Sequence, residues 1–424
     1  MFFINRRNAI GLLVAGIAVA LSCGMAAAAP KVYVGNFKDN TVSVIDTSTG
    51  KVVATVPVAA GPHGMTITKD GKWVFVSGDT SSQVSVIDTA TDRVAQTIEV
   101  GKGPHGSALT LDGRQLLVTV NGEDKIVFVD TAKRTVTGSV EVAKPHTIAV
   151  HPNGKVAYVT SQQPGKFALA VVDITKRKVV RSIALDKPPR DLEFGYDGKA
   201  LYFTLAGLNA IKVLNPTSDK IVAEIPTGAS PHYANLFRGT KTGLAVVQGP
   251  GELLAFDPAT NKPGRSVAVG KQPHWMTVSS DGKTAYVTNE GSNDLSVIDL
   301  ASQKVETIAV GNAPRKVVVQ AGPANRAGRV SINSFAFAPG TITIKAGENV
   351  TWTNNDGAPH TITFKDRFAS SESLSPGQTF ARGFEQPGTY EYFCSFHEFM
   401  TGRVVVQAKT VAIQVRRTRL NVIE

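Results

Sequence analysis

Val42-Ser43-Val44-Ile45-Asp46 alternates apolar and small residues and closes on an acid, the pattern of a half-buried strand running into a turn. The same phrase returns as Val84–Asp88, Ile126–Asp130, Leu169–Asp173, Ile211–Asn215, Leu253–Asp257 and Leu295–Asp299. These are seven copies, 42 or 43 residues apart. A period of about 40–45 residues is the length of one four-stranded propeller blade. An Asp or Asn at a strand end can accept from its own downstream amides and so start the turn. A turn rich in Thr, Ser and Lys follows each acid. A further strand such as 93–100 comes next, then a loop of the Gly-x-x-Pro kind, then a strand ending in a hairpin signal. Those signals, Asp70-Gly71, Asp112-Gly113, Asn153-Gly154, Asp197-Gly198 and Asp281-Gly282, suit tight type I′ turns.

The count also predicts how the ring closes. The repeats begin inside a blade, with 31–35 as a second strand, and end with 315–320 as a first strand. One blade therefore combines the last strand with the first three, and closure removes the sheet edges that would otherwise recruit other chains. The phrases Ala285-Tyr-Val-Thr-Asn289 and Ala157-Tyr-Val-Thr160 resemble the YVTN family of seven-bladed β-propellers. The resemblance implies the fold of residues 29–320 and little about function, because propellers host many functions.

One position of the repeat carries chemistry. Ahead of the expected innermost strands stand Pro62-His63, Pro104-His105, Pro145-His146, Pro231-His232 and Pro273-His274; the other two blades have Pro189-Arg190 and Pro314-Arg315. Sevenfold geometry puts His63, His105, His146, His232, His274, Arg190 and Arg315 in one layer near a mouth of the channel. Two readings follow. The ring holds a second metal, since imidazole suits copper and zinc, or a small anionic ligand drawn by the guanidinium groups. Alternatively, Pro-His is turn chemistry copied by duplication.

The ends of the chain read differently. Asn5-Arg6-Arg7-Asn8 is a basic n-region, residues 9–21 are an apolar h-region too short for a membrane span, and Ala26-Ala27-Ala28 offers a cleavage site. Residues 1–28 are expected to be a cleaved signal peptide, which predicts a periplasmic protein with no integral membrane span. Residues 321–328 form a linker rich in Gly, Ala and Asn, and 409–424 a basic tail. The net charge of +11 is otherwise dispersed, without the aromatic interleaving of a nucleic-acid surface. Removing the leader takes Cys23 with it and leaves Cys394 as the single cysteine. An exported protein normally pairs its thiols, so a lone one points to a metal thiolate.

From residue 329 to 408 the pattern is a β-sandwich, with strands expected at 335–339, 341–345, 349–354, 360–364, 379–384, 388–393 and 402–407. Its end reads Tyr-Phe-Cys394-Ser-Phe-His397-Glu-Phe-Met400-Thr-Gly402, and upstream Ala358-Pro359-His360 adds an imidazole. Two imidazoles, a thiolate and a thioether are the donors of a blue-copper electron-transfer site. The stretch from Ala336 to His360, the phrase Leu-Ser-Pro-Gly-Gln-Thr-Phe380 and the ligand loop are similar to the cupredoxins, and the two-residue gaps flanking His397 resemble amicyanin. That resemblance implies one type 1 copper with His360, Cys394 and His397 equatorial and Met400 axial. It implies that Asn354 hydrogen-bonds the ligand loop beneath the thiolate. Phe396 departs from amicyanin, which has Pro there. Pro359, Phe396 and Phe399 would surround His397 as an apolar docking patch.

The whole chain thus reads as all-β, a seven-bladed propeller followed by a Greek-key cupredoxin. The expected function is periplasmic one-electron transfer to or from a redox partner protein, with the propeller as binding platform, and no catalysis by the chain itself. Two alternatives are a copper oxidoreductase using the histidine ring and a copper-handling module without turnover. Neither a C-x₂-C-H haem motif, a nucleophile elbow nor a phosphate loop occurs.

Overall fold

The computed structural model describes residues 30–320 and 328–408, apart from 69, 196–197, 238–239, 241, 280–281, 334 and 367–369. The expected signal peptide (1–28), the basic tail (409–424) and all of the linker except Gly328 lie outside the described residues. Residues 31–319 form seven four-stranded antiparallel sheets. Each has the same burial logic. The second and third strands, such as Trp73–Gly78 and Gln83–Asp88, are buried along almost their whole length, because neighbouring sheets cover both faces. The outermost strand, such as Arg93–Glu99, shows only alternate residues inward. The cores therefore lie between blades: Tyr33, Val42, Val44, Val74, Val76 and Ile87 form one such layer.

The closure read from the repeat count is present. Pro314–Val319 pairs antiparallel with Lys31–Asn36, giving the order last strand, first, second, third. The backbone amide of Gln320 donates to the Lys31 carbonyl at 2.8 Å.

All seven strand-end acids or amides start their turns as expected. Asp46, Asp88, Asp130, Asp173, Asn215, Asp257 and Asp299 each accept from a backbone amide two or three residues on, at 2.8–3.1 Å. The type I′ turns are a correction. Gly71, Gly113 and Gly154 have φ near +70°, but the Asp112 and Asn153 before the latter two do not adopt positive φ, which type I′ requires at both central residues. The bond from Gly113 N to Thr110 O instead closes a four-residue turn with the glycine left-handed at its end. The Asp112 carboxylate stabilises it by accepting from Thr110 Oγ1 (2.6 Å) and Arg114 N (3.0 Å).

Residues 329–407 form two four-stranded sheets packed face to face. One runs Ala336–Ala338, Arg329–Asn333, Glu348–Asn354, Thr379–Phe384; the other runs Thr341–Lys345, His397–Gln407, Gly388–Cys394, Thr363–Phe364. Thr341–Lys345 alternates exposed and buried at every residue, so one face meets the core and one meets water. Trp352, fully buried, sits edge-on to Phe364 and Tyr392 at the centre. The strand at Arg329–Asn333 is absent from the sequence-based set; it pairs in parallel with Glu348–Asn354. Among the described residues no helix is long and apolar enough to cross a membrane.

Candidate metal centre

His397 begins the last strand of the sandwich and Cys394 ends the one before it; the two strands pair, with Cys394 opposite His397 and only Ser395 and Phe396 turning between them. This tight turn brings the third residue after a thiol back beside it. His360 arrives from the other side, at a bridge to Leu374. The result is a small cluster. Cys394 Sγ is 3.7 Å from His360 Nδ1 and 3.6 Å from His397 Nδ1. Donor atoms of the three residues all lie within 4.8 Å of one another, and no other group of three or more His, Cys, Asp or Glu among the described residues does so. His360 and Cys394 are wholly buried and His397 is half-buried.

These spacings test whether a metal fits. Imidazole and thiolate bonds of about 2.05 and 2.3 Å, opened to 120°, set nitrogen and sulfur about 3.8 Å apart. The two sulfur–nitrogen distances are within about 0.2 Å of that. Met400, 2 % exposed, lies three residues beyond His397 on the same strand. A His₂Cys set with a thioether nearby suits copper by softness and by number.

The surroundings fix each donor. Asp356 Oδ2 accepts from His360 Nε2 at 2.9 Å, so the proton sits there and Nδ1 presents its lone pair to the cluster. The same oxygen accepts from Phe335 N at 2.8 Å. Thr361 N donates to Cys394 Sγ at 3.4 Å, and Thr361 Oγ1 accepts from Ser395 N at 2.8 Å, tying the histidine loop to the cysteine loop. This corrects the expectation for Asn354. Its amide donates to Ala358 O and Leu374 O, both at 2.8 Å, and its oxygen accepts from Asp356 N at 2.9 Å. Asn354 ends its strand underneath the loop carrying His360 and shapes that loop; the bonds to the thiolate come from Thr361. Asp356 and Thr361 were missed, although the i, i+4 pair Asp356/His360 and the polar residue after His360 were both visible.

Phe396 and Phe399 are 54 % and 73 % exposed, and Pro359 is exposed as well. Phe335 joins them. Expected as a strand residue, it stands ahead of Ala336–Ala338 at φ +54°, with its ring edge-on to His360 at 5.4 Å and His397 at 4.9 Å.

The propeller histidines do gather in one layer. Ring centroids are 3.8 Å apart for His63/His105 and for His105/His146, 4.0 Å for His232/His274 and 5.4 Å for His63/His274. Nδ1 of His105, His146 and His274 each donates to the carbonyl of the corresponding residue of the next blade, at 3.0–3.1 Å. Burial, reinforced by neighbouring rings and guanidinium groups, holds all five well below the usual histidine range, His146 at about 4 and His232 at about 3. They are a layer of neutral rings packed against one another. The arginines turn to other partners: Arg315 to Glu290 Oε1 (3.0 Å) and the face of Phe37, Arg190 to Ser230 Oγ (2.8 Å).

Comparison with known proteins separates the two halves. Residues 324–407 match the copper binding proteins of the plastocyanin/azurin family, and residues 15–114 match a YNCE-like beta-propeller. Amicyanin-alpha of Methylorubrum extorquens is 39 % identical over 94 residues, which are 21 % of this chain and 78 % of that protein. Plastocyanin of Scenedesmus fuscus is 41 % identical over 87 residues, 18 % of this chain and 89 % of that protein. Among solved structures, hydrazine synthase of Kuenenia stuttgartiensis superposes with a TM-score of 0.59 at 20 % identity, over 68 % of this chain and 99 % of that one. AztD of Citrobacter koseri does so with 0.52 at 17 % identity, over 69 % and 98 %. At such identities these two likenesses concern the propeller fold alone.

Proposed function

Because the chain belongs, through residues 324–407, to the plastocyanin/azurin family of copper binding proteins, we propose that it is a periplasmic one-electron carrier with a type 1 copper in its C-terminal domain and a propeller that docks its partner. His360, Cys394 and His397 would hold the copper, with the Met400 thioether as a fourth, weaker donor. The observation that carries the assignment is the convergence of one buried thiol and two imidazole Nδ1 atoms on one point.

Bound there, copper supplies a one-electron couple. The protein's part is to keep the donors in place. Asp356 holds the His360 proton at Nε2. Thr361 donates to the sulfur and clamps the turn after Cys394, which resists movement of the thiolate between the two charge states. The exposed edge of His397, within the Phe335, Phe396, Phe399 and Pro359 patch, is the exit for the electron. An apolar rim there lets a partner exclude water without losing charge–solvent contacts.

The test is copper per chain on loaded, desalted protein, together with the visible spectrum. We expect one copper and an intense thiolate-to-copper band in the wild type, and neither in Cys394→Ala. Two coppers, one surviving in Cys394→Ala, would establish a second site in the propeller and overturn the simple carrier.

A further inference from the structure

Immediately inside the histidine layer, the channel is built from the residue that follows each histidine or arginine. In four adjacent blades these are Asp191, Tyr233, Trp275 and Lys316; on the opposite side they are small, including Gly64 and Gly106. A cavity of about 350 Å³, at the small end of ligand-pocket sizes, has Asp191, Tyr233, Trp275 and Lys316 on its wall, with Glu193 beside them. The cavity extends along the innermost strands to Leu111 and Phe237.

Its charges are not matched by contact. Asp191 is 3 % exposed, and among the described residues its carboxylate accepts a hydrogen bond only from the amide of Leu192, at 2.8 Å. Glu193 likewise accepts only from the amide of Phe194, at 3.1 Å. Among the described residues no basic nitrogen stands within 4.0 Å of either carboxylate. The nearby Lys316 ammonium lies instead over the face of Trp275, 2.8 Å from the ring centre, and Trp275 stacks on Tyr233 at 3.7 Å. Burial pushes Asp191 up to about 8 and Glu193 up to about 7, and pulls Lys316 down to about 8. A buried carboxylate without a counterion is costly, and an added cation that donates hydrogen bonds relieves that cost.

We propose that this cavity binds a small organic monocation with a primary ammonium group, held by Asp191 and Glu193, with its hydrocarbon part against Tyr233 and Trp275. Charge selects the class. With both carboxylates ionised, as a bound cation draws them, and Lys316 protonated, the site carries a formal charge of −1, which one monocation cancels and a divalent metal overshoots. The aromatic wall already receives an ammonium, that of Lys316, on its π face. The primary amine matches two acceptors on alternate residues of one strand, since its three N–H donors can serve both.

Calorimetric titration of the full chain with n-propylammonium chloride tests this, with n-propanol, calcium chloride and β-alanine in parallel. We expect one propylammonium per chain, no binding of propanol, weaker binding of calcium and β-alanine, and a change in Trp275 fluorescence. Asp191→Asn and Glu193→Gln should each weaken binding about tenfold or more. Glu193→Gln, at a less buried position, keeps the test open if Asp191→Asn does not fold. Absence of propylammonium binding, unaltered affinity in both variants, or tighter binding of calcium or β-alanine would overturn the proposal. The copper content and visible spectrum should be the same in every variant, so the outcome does not depend on the metal centre.

Discussion

His360 presents a bare Nδ1 to the donor cluster because its Nε2–H is held in a hydrogen bond to Asp356. Such carboxylate–histidine contacts orient ligands, and losing one typically costs about 10–100-fold in metal affinity. Asp356→Ala should therefore weaken copper binding by about that factor. A competitive chelator titration reads it, with Cys394 and His397 still in place. The same substitution also releases Phe335 N, so the ring that meets both ligand histidines should move and change the spectrum. Cys394 and His397 could be read from C-x₂-H because one tight turn joins them, whereas His360 comes from a separate loop 34 residues upstream and was read from the likeness of that stretch to the cupredoxins. Their supports could not be ranked from sequence. Asn354 and Thr361 are both polar residues near a ligand; which one reaches the sulfur depends on where strands end in space.

Elements follow the same division. The period, the strand-end acids and the ring closure were legible because each rests on neighbouring residues and a count. The Asp-Gly hairpins were misread at the level of turn type, since the dipeptide suits more than one turn and the loop length decides. The strand-end acids are equivalent by repeat yet individually weak. Asp130 accepts from Ala132 N at 2.9 Å and Lys133 N at 2.7 Å in an exposed turn. Asp130→Ala should cost about 1 kcal/mol or less. Thermal unfolding followed by circular dichroism should shift by about 1–2 °C. The two channel carboxylates were not singled out at all. Asp191 and Glu193 look like an ordinary strand until seven blades are superposed, when the counterparts of Asp191 prove to be glycine, threonine, aromatic or lysine and those of Glu193 threonine, alanine, asparagine or valine.

The histidine layer acts on the molecule as a whole. Each of its five rings has a folded pKa below the ordinary 6.5, so the unfolded chain takes up protons that the folded one refuses. Their contribution is complete above pH 6.5 and is lost as pH falls through the lowered values, near 4 for His146 and 3 for His232. Asp191 and Glu193 work in the opposite sense. Their raised pKa values favour the folded state at low pH, and this is lost as pH rises toward about 8 and 7. Five groups outweigh two, so propeller stability should fall on acidification from pH 6.5 to 4. A pH series of melting curves checks this, and Glu193→Gln should make the fall steeper.

The strand at Pro314–Val319 also sets the order of assembly. The blade that holds Lys31–Asn36 waits for a partner from the far end of the repeats. Bringing together segments nearly three hundred residues apart costs about 5 kcal/mol of chain entropy before any pairing is gained. Ring formation is thus a late and slow event, and the emerging chain carries an unfinished sheet until then. Once fastened, the clasp gives the opposite property. No blade can peel from an end, because the ring has none, and opening it requires breaking the one sheet that joins the two ends of the repeats. Slow closing and slow opening share this single seam, which makes persistence of the folded ring a matter of rate as much as of equilibrium.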